Sequence, residues 1–575
     1  MNLLLDASQT QALVAQHPRL AHLCEALRLS HRIEVPSGQL ALAELHTLAA
    51  LLAPANADAN APALGPVAQV RGLIAARAAG GPTFGKTDDL EQLLPALAAY
   101  LGEGAQRGWL FAMQASGRPL PWVVTRLDYI APSNEEMGKV LIELKAHVRL
   151  GIVSQTLRIA EADLRGLTVP ELLAAKGWLK ESPELLAAYD AMAERYLAWR
   201  AHHGQQFCGQ GMGFHAEDPS ASHRDVDWTR KDQLVLSTSG APARLVNDEG
   251  VLPPRSAVLD TTGDILGPYL RKAAKSNRYS AEDAVQTQRE ALAAGLFTQL
   301  PLHGYVFMFH LELHQHLWVH VLDVQPYVYR PDLKSSLVLP PEQTDLIDIL
   351  TAEMDVLMDD IVAGKGGGTT VLCAGPPGVG KTLTAEVYAE IVGRPLYRVH
   401  SGQLGLNVAS MEHALKEALT RAQRWGAVML IDEADVYIKR RDDDITMNAV
   451  VGVFLRVLEY FNGLLFLTTN RLDDIDEAIV SRCIALIRYH APDEAARQRI
   501  WQVMAAQFGL VLDEAECRRL AQRFACASGR DIKGLAKLVA KYCQHKDEAP
   551  TPAVFERCAV FRGLDGLPAP VEQEA

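Results

Sequence analysis

A chain of 575 residues is long enough for about two to four domains. With 49% hydrophobic and 22% charged residues it is neither fibrous nor largely disordered. The formal charge of −13 argues against a protein devoted to coating nucleic acid, whose surface would be basic, though it leaves room for a local basic pore.

The start, Met1 to Asp6, lacks a cationic n-region and meets a carboxylate at once, so no secretory signal is expected. The most apolar stretch, Leu40 to Leu52, is broken by Glu44 and His46 and is too short to span a bilayer. Eight scattered cysteines form no C-x-x-C pair, which suits a reducing compartment rather than a disulfide framework. The expectation is a soluble, cytoplasmic protein.

In chain order, residues 1–105 are rich in Ala and Leu at helical spacing, with a Pro/Ala/Asn linker at Ala53 to Gly65. Residues 106–335 read as a mixed α/β partner or substrate domain. Strands are expected at Trp122 to Thr125, Val140 to Leu144 and Leu234 to Ser237, a helix at Pro183 to Arg200, and a hairpin from Tyr305 to Val321 turning near His314. Within that hairpin His310, His314, His316 and His320 invite a metal reading. No cysteine or carboxylate cluster joins them, so an amphipathic hairpin is the expectation. Ser154 and its polar neighbours form no nucleophile–base pattern.

From Pro340 the pattern becomes regular. A helix (Gln343 to Ile361) and the loop Gly364 to Gly368 lead to strands at Val371 to Ala374, Pro395 to Val399, Val428 to Ile431 and Leu464 to Thr468, each separated by a helix. Alternating βα units predict an α/β core at 336–491 with a parallel sheet and helices on both faces, whose ligands bind at the carboxyl ends of the strands. Residues 492–562 read as a helical lid and 563–575 as a disordered tail.

Between the first strand and its helix, Thr384 to Ile391, lies Gly375-Pro376-Pro377-Gly378-Val379-Gly380-Lys381-Thr382, and Leu383 after it is counted with the cofactor-binding residues. A glycine-rich turn in this setting aims several backbone N–H groups and the helix's positive end at one anion. Lys381 adds a charge for the β- and γ-phosphates, and the Thr382 hydroxyl can hold Mg²⁺. The expected ligand is a nucleotide. Gly80 to Thr87 matches the same pattern, but Arg71 to Ala79 before it looks helical and no acidic strand end follows. It is expected to be an inter-helix loop.

Val428 to Glu433 is an apolar strand ending in two carboxylates. Asp432 is placed for the Mg²⁺ shell and Glu433 for a general base that polarises the attacking water. Asn470 ends the buried run Leu464 to Thr469 and can position the γ-phosphate or that water. The run Lys439-Arg440-Arg441 with Asp442-Asp443-Asp444 reads as a solvated loop.

Thr468-Thr469-Asn470-Arg471, Asp476-Glu477-Ala478 and Ser481-Arg482, together with Gly375–Thr382 and Ile431 to Asp435, resemble the AAA ATPases over about residues 335 to 560. Arg394 to Val399 and Val457 to Phe461 are most similar to a subgroup common in fungi and also found in bacteria. The resemblance implies Walker A roles for Lys381 and Thr382, Walker B roles for Asp432 and Glu433, and sensor 1 for Asn470. It implies an arginine finger at Arg482, acting on a neighbouring subunit's γ-phosphate, and sensor 2 at Arg530. A cation at a helix start is unusual by dipole logic, which supports a phosphate contact for Arg530. Asp360 to Gly364 would contact adenine.

It further implies ATP with Mg²⁺, a homo-oligomer, hexameric in such relatives, and hydrolysis coupled to remodelling of a protein or protein complex. Nucleic-acid remodelling, as in a defence-type ATPase, and an assembly switch with little turnover are the competing readings. Relatives that thread polypeptide carry an aromatic-hydrophobic-Gly triplet after the second strand. Here Gly402 to Asn407 has no aromatic, so the resemblance does not extend to threading.

Overall fold

The fold is that of a computed structural model describing all residues except 1, 28–31, 54–65, 86–88, 114–117, 135, 218–230, 238–239, 253–258, 260–262, 277–280, 341–342, 346–348, 350–367, 406, 442–443, 460, 472–473 and 565–575. Residues 360–364, expected against adenine, most of the expected helix 343–361, the linker residues 54–65 and the tail from 565 lie outside the described residues.

The first hundred residues are mainly helical, as their composition predicts, with one addition: Asn2–Asp6 pairs antiparallel with Arg32–Pro36. Both strands are only five residues long and bury alternate side chains, a period too short to stand out among leucine-rich helices. Helices Pro66–Ala78 and Asp89–Gly102 then lead to a five-stranded antiparallel sheet, in spatial order 151–160, 139–148, 119–130, 109–113, 178–180. In Lys139–Val148 every second residue is buried, which fixes its register against both neighbours. Leu93 and Leu97 share a continuous core with Val124 and Ile142 of this sheet.

A seven-stranded antiparallel sheet follows, in order 233–235, 212–215, 315–320, 305–310, 243–247, 206–209, 324–326. Its central hairpin, Tyr305–His310 with Gln315–His320, turns at His314, whose φ is +54°. His314 is therefore a turn residue and does not share a strand face with His316. The loop 80–85 carries a two-residue strand, Thr83–Phe84, paired with Leu167–Thr168, and its last two motif residues lie outside the described residues.

The C-terminal part is a parallel sheet of β1 (Thr369–Ala374), β2 (Leu396–His400), β3 (Val428–Asp432), β4 (Leu464–Thr469) and β5 (Ala485–Arg488), in the order β2-β3-β4-β1-β5. Helix α1 (Lys381–Val392) packs on one face through Ala385, Tyr388 and Ala389, against Val371, Cys373, Leu430 and Phe466. Helices α2 (Val408–Trp425) and α3 (Ile445–Leu458) cover the other, against Leu372, Met429 and Ile431. Strands buried on both faces must be continuously apolar, which is why they stand out in the sequence. The four helices α4 (Glu494–Phe508), α5 (Glu514–Arg523), α6 (Gly529–Lys546) and α7 (Pro552–Val560), where the sequence suggests a lid, have their own core around Trp501, Leu535 and Phe555.

The seven-stranded sheet docks on α2. Asp248, 1% exposed, accepts from Trp425 Nε1 at 2.7 Å, from Arg424 Nε and Nη2 at 2.9 and 2.8 Å, and pairs with His316 Nε2 at 2.9 Å. Beside it the Phe309 ring contacts Tyr397 and Trp425, with the Arg421 guanidinium 4.6 Å from its centroid. The histidines thus serve the polar joints of a core: His310 Nε2 lies 3.0 Å from the Leu236 carbonyl. No group of three metal-ligating side chains occurs among the described residues. All eight cysteines are free thiols, and no described helix is long and apolar enough to cross a membrane.

Candidate nucleotide site

The site forms where β1, β3 and β4 end. Gly375 leaves β1 at φ +155°, and a Cβ there would stand 2.4 Å from the Tyr489 carbonyl oxygen, so the turn requires glycine. Gly378, at φ +83°, lets the lid approach: its added Cβ would meet Ser528 Oγ at 2.6 Å and Arg530 Cβ at 3.0 Å. The Gly378 carbonyl accepts the Arg530 N–H at 3.1 Å. Arg530 stands two residues after the N-cap Ser528 of α6, with an exposed side chain. The lid's first turn therefore rests on the phosphate loop.

Helix α1 starts at Lys381 behind the left-handed Gly380. The Lys381 ammonium is buried and donates to the carbonyls of Gly375 and Pro376 at 2.6 and 2.7 Å and to Asn470 Oδ1 at 2.8 Å. Burial lowers its pKa, while the nearby Asp435 and Asp432 carboxylates pull the other way. Leu383 points outward, 45% exposed, and makes no part of this polar cluster.

Asp432 Oδ1 accepts from Thr382 Oγ1 at 3.1 Å and from Thr468 Oγ1 at 2.5 Å. Its Oδ2 accepts from Arg398 Nη2 at 2.5 Å. Burial works to raise the Asp432 pKa, but Thr468, Arg398 and Thr382 outweigh it and hold the carboxyl below its ordinary value. Thr468 Oγ1 also accepts the Glu433 N–H at 3.0 Å, so one hydroxyl ties both acidic residues together. Glu433 is exposed and adopts φ +56°, ψ +49°, a left-handed conformation costing a non-glycine residue about 1–3 kcal/mol. That twist turns its side chain off the line of β3 while Asp432 stays in the sheet.

Asn470 is placed by Asp435, whose Oδ1 accepts the Asn470 N–H at 3.1 Å and also the Thr469 hydroxyl. In the sequence Asp435 belongs to the motif without a role of its own, and its spacing of three from Asp432 is the available signal. Arg482 is not drawn into this cluster. It donates to the Ala478 carbonyl at 3.0 Å and pairs with Glu459. Arg440 and Arg441 face Glu477 and Asp476 at the edge of the next short helix. Arg398 and Glu459 lie in segments that carry the resemblance, but no role attaches to them in the sequence, because their partners lie 34 and 23 positions away.

The residues fit a nucleoside triphosphate with a hard divalent ion: a glycine loop ahead of a helix N-terminus, a buried ammonium, and a hydroxyl 3.1 Å from an ionised carboxylate. A parallel sheet of this order with that loop after β1 defines a P-loop nucleotide-binding domain. Residues 371–490 match the family model described as "ATPase family associated with various cellular activities (AAA)", so the chain carries an AAA ATPase domain.

Similar proteins include the "ATPase family gene 2 protein" of Schizosaccharomyces pombe, 27% identical over 185 residues, covering 31% of this chain and 23% of that protein. Another is "Proteasome-activating nucleotidase 1" of Haloferax volcanii, 29% identical over 178 residues, covering 29% of this chain and 44% of that one. Among solved structures, the FIGL-1 AAA domain matches at 19% identity and TM-score 0.33, covering 40% of this chain and 84% of that one. The chain thus spans less than half the length of either of these two relatives.

Proposed function

We propose that this protein hydrolyses ATP in a ring or partial ring of like subunits and uses the turnover to remodel a protein or protein complex. The observation that carries the reading is the shared Thr468 hydroxyl. It fixes Asp432 beside Thr382 and sets Glu433 on a separate path, within a cluster that also joins Lys381 to Asn470.

In this reading the N–H groups of Gly375 to Lys381 and the Lys381 ammonium bind the phosphates. Thr382 and Asp432 hold Mg²⁺, which when bound supplies neutralising charge to the phosphate oxygens. Glu433 takes a proton from the attacking water, and Asn470 orients that water or the γ-phosphate. Arg482, held outside its own chain's cluster, acts on the ATP of the adjacent subunit. Arg530, whose backbone rests on Gly378, reports the loop's occupancy to the lid.

A protein target agrees with the net charge of −13 and with the name of the proteasome-activating relative. Eight free thiols suit a cytoplasmic setting. Glu433→Gln tests the reading: it should bind ATP, hold the assembly together and lose turnover. Turnover equal to the unaltered protein would remove Glu433 as the base. The same variant, used as bait in ATP, would capture the partner.

A further inference from the structure

Arg398 lies on the edge strand β2, in a register that puts His400 opposite Asp432 and Arg398 opposite Leu430. Side chains two apart on a strand share a face, so Arg398 lies on the face of the sheet covered by α1. Its Nη2 donates to Asp432 Oδ2 at 2.5 Å, the oxygen not taken by Thr382 and Thr468. Its Nη1 lies 3.9 Å from Glu386 Oε1 on α1. Its Nε is buried without a hydrogen-bond partner among the described residues. The side chain as a whole is 39% exposed, and two carboxylates, one hydrogen-bonded and one at 3.9 Å, face its guanidinium.

We propose that Arg398 is a positioning residue that competes with the metal ion for Asp432, and so sets how much Mg²⁺ is needed before ATP is bound in its metal complex. The inference rests on the ATP-hydrolase reading. A guanidinium and a divalent cation drawn to one carboxylate repel each other, and this cation belongs to the protein. Asp432 is held in place through Oδ2 by a charge that metal must displace or share. Glu386, the second anion within reach, is where the guanidinium is received when Asp432 turns to the metal. The site thereby couples metal arrival to a side-chain movement between β2 and α1.

The test is binding of a fluorescent ATP analogue at fixed concentration, followed as Mg²⁺ is raised from none. Arg398→Gln keeps an N–H donor for Asp432 and removes the charge, so half-saturation should fall to about one-tenth of the unaltered protein's Mg²⁺ concentration. Arg398→Ser, shorter and equally neutral, should shift the same way. Arg398→Lys keeps the charge and should restore the original Mg²⁺ dependence. Neutral variants whose curves overlay the unaltered one, or move to higher Mg²⁺, overturn the proposal. If the unaltered protein binds no nucleotide at any Mg²⁺ concentration, the ATP reading fails as well. Binding with an unshifted curve fails the Arg398 proposal alone.

Discussion

The Tyr327 hydroxyl donates to Glu390 Oε1 at 2.5 Å, and the Arg330 N–H donates to the other oxygen of the same carboxylate at 2.9 Å. Glu390 is buried near the C-terminal end of α1, whose first residue is Lys381. The segment that joins the N-terminal half to the ATPase core is thus fastened to the helix that carries the phosphate loop. Burial, reinforced by Glu390, pushes the Tyr327 phenol up to about 12, so it remains a donor across the physiological range.

Removing that hydroxyl leaves a buried carboxylate oxygen without its donor. Tyr327→Phe should cost about 1–3 kcal/mol of stability, because the desolvated acceptor is no longer satisfied. Denaturant unfolding of the full chain would show it as a lower midpoint at unchanged slope. An unchanged midpoint would mean that Glu390 finds another partner.

Arg482 lies outside its own chain's site, paired with Glu459. Arg482→Ala should bind ATP with unaltered affinity yet lose turnover by about 10³-fold, the low end of what such a finger contributes. Lys381→Ala should lose binding, since the buried ammonium is central to the loop. Mixing the two inactive variants should restore partial activity, because a mixed interface can pair an intact loop with an intact arginine. No recovery at any mixing ratio would count against a finger acting between subunits.

The Asp248 cluster predicts a pH dependence. Burial raises the Asp248 pKa, but donors from His316, Arg424 and Trp425 outweigh it and leave the value lowered. A folded pKa below the unfolded one means the contribution is complete above about 3.9 and is lost as pH falls through the folded value. Asp248→Asn leaves Arg424 without its counter-ion and should cost about 2–3 kcal/mol at pH 7, since one partner is solvent-exposed. The gap between variant and unaltered protein should narrow as pH falls below about 4. A gap that stays constant across that range would assign the loss to packing.

Much of the ATPase core was legible in the sequence because β1, β3 and β4 are buried on both faces and their polar residues stand only at their ends. Asp432 and Asn470 emerge from that contrast and Lys381 and Thr382 from the glycine loop, and the structure brings the four together. Pro183–Arg200 and the hairpin turning at His314 were legible for similar reasons of period and length. What stayed hidden depends on distance along the chain. Asp248 and Arg424 are 176 positions apart, and each alone reads as an ordinary surface charge. Arg398 sits in a short strand between Tyr397 and Val399, and only the register of β2 against β3 brings it to Asp432. The short strand Asn2–Asp6 is hidden by its partner, which lies beyond three helical segments.

The sheet order leaves β2 as an outer strand, yet Tyr397 on it is buried against Phe309 and His314 of the seven-stranded sheet. The N-terminal half meets α2 through Asp248 on one face and α1 through Tyr327 on the other, so it straddles that edge. Cutting the chain ahead of Thr369 would uncover this outer strand, with Tyr397 on it and Trp425 beside it, as a template for pairing with other chains. The nucleotide-binding part is therefore covered at that edge by the N-terminal half. The N-terminal half is part of what keeps it a discrete folded body.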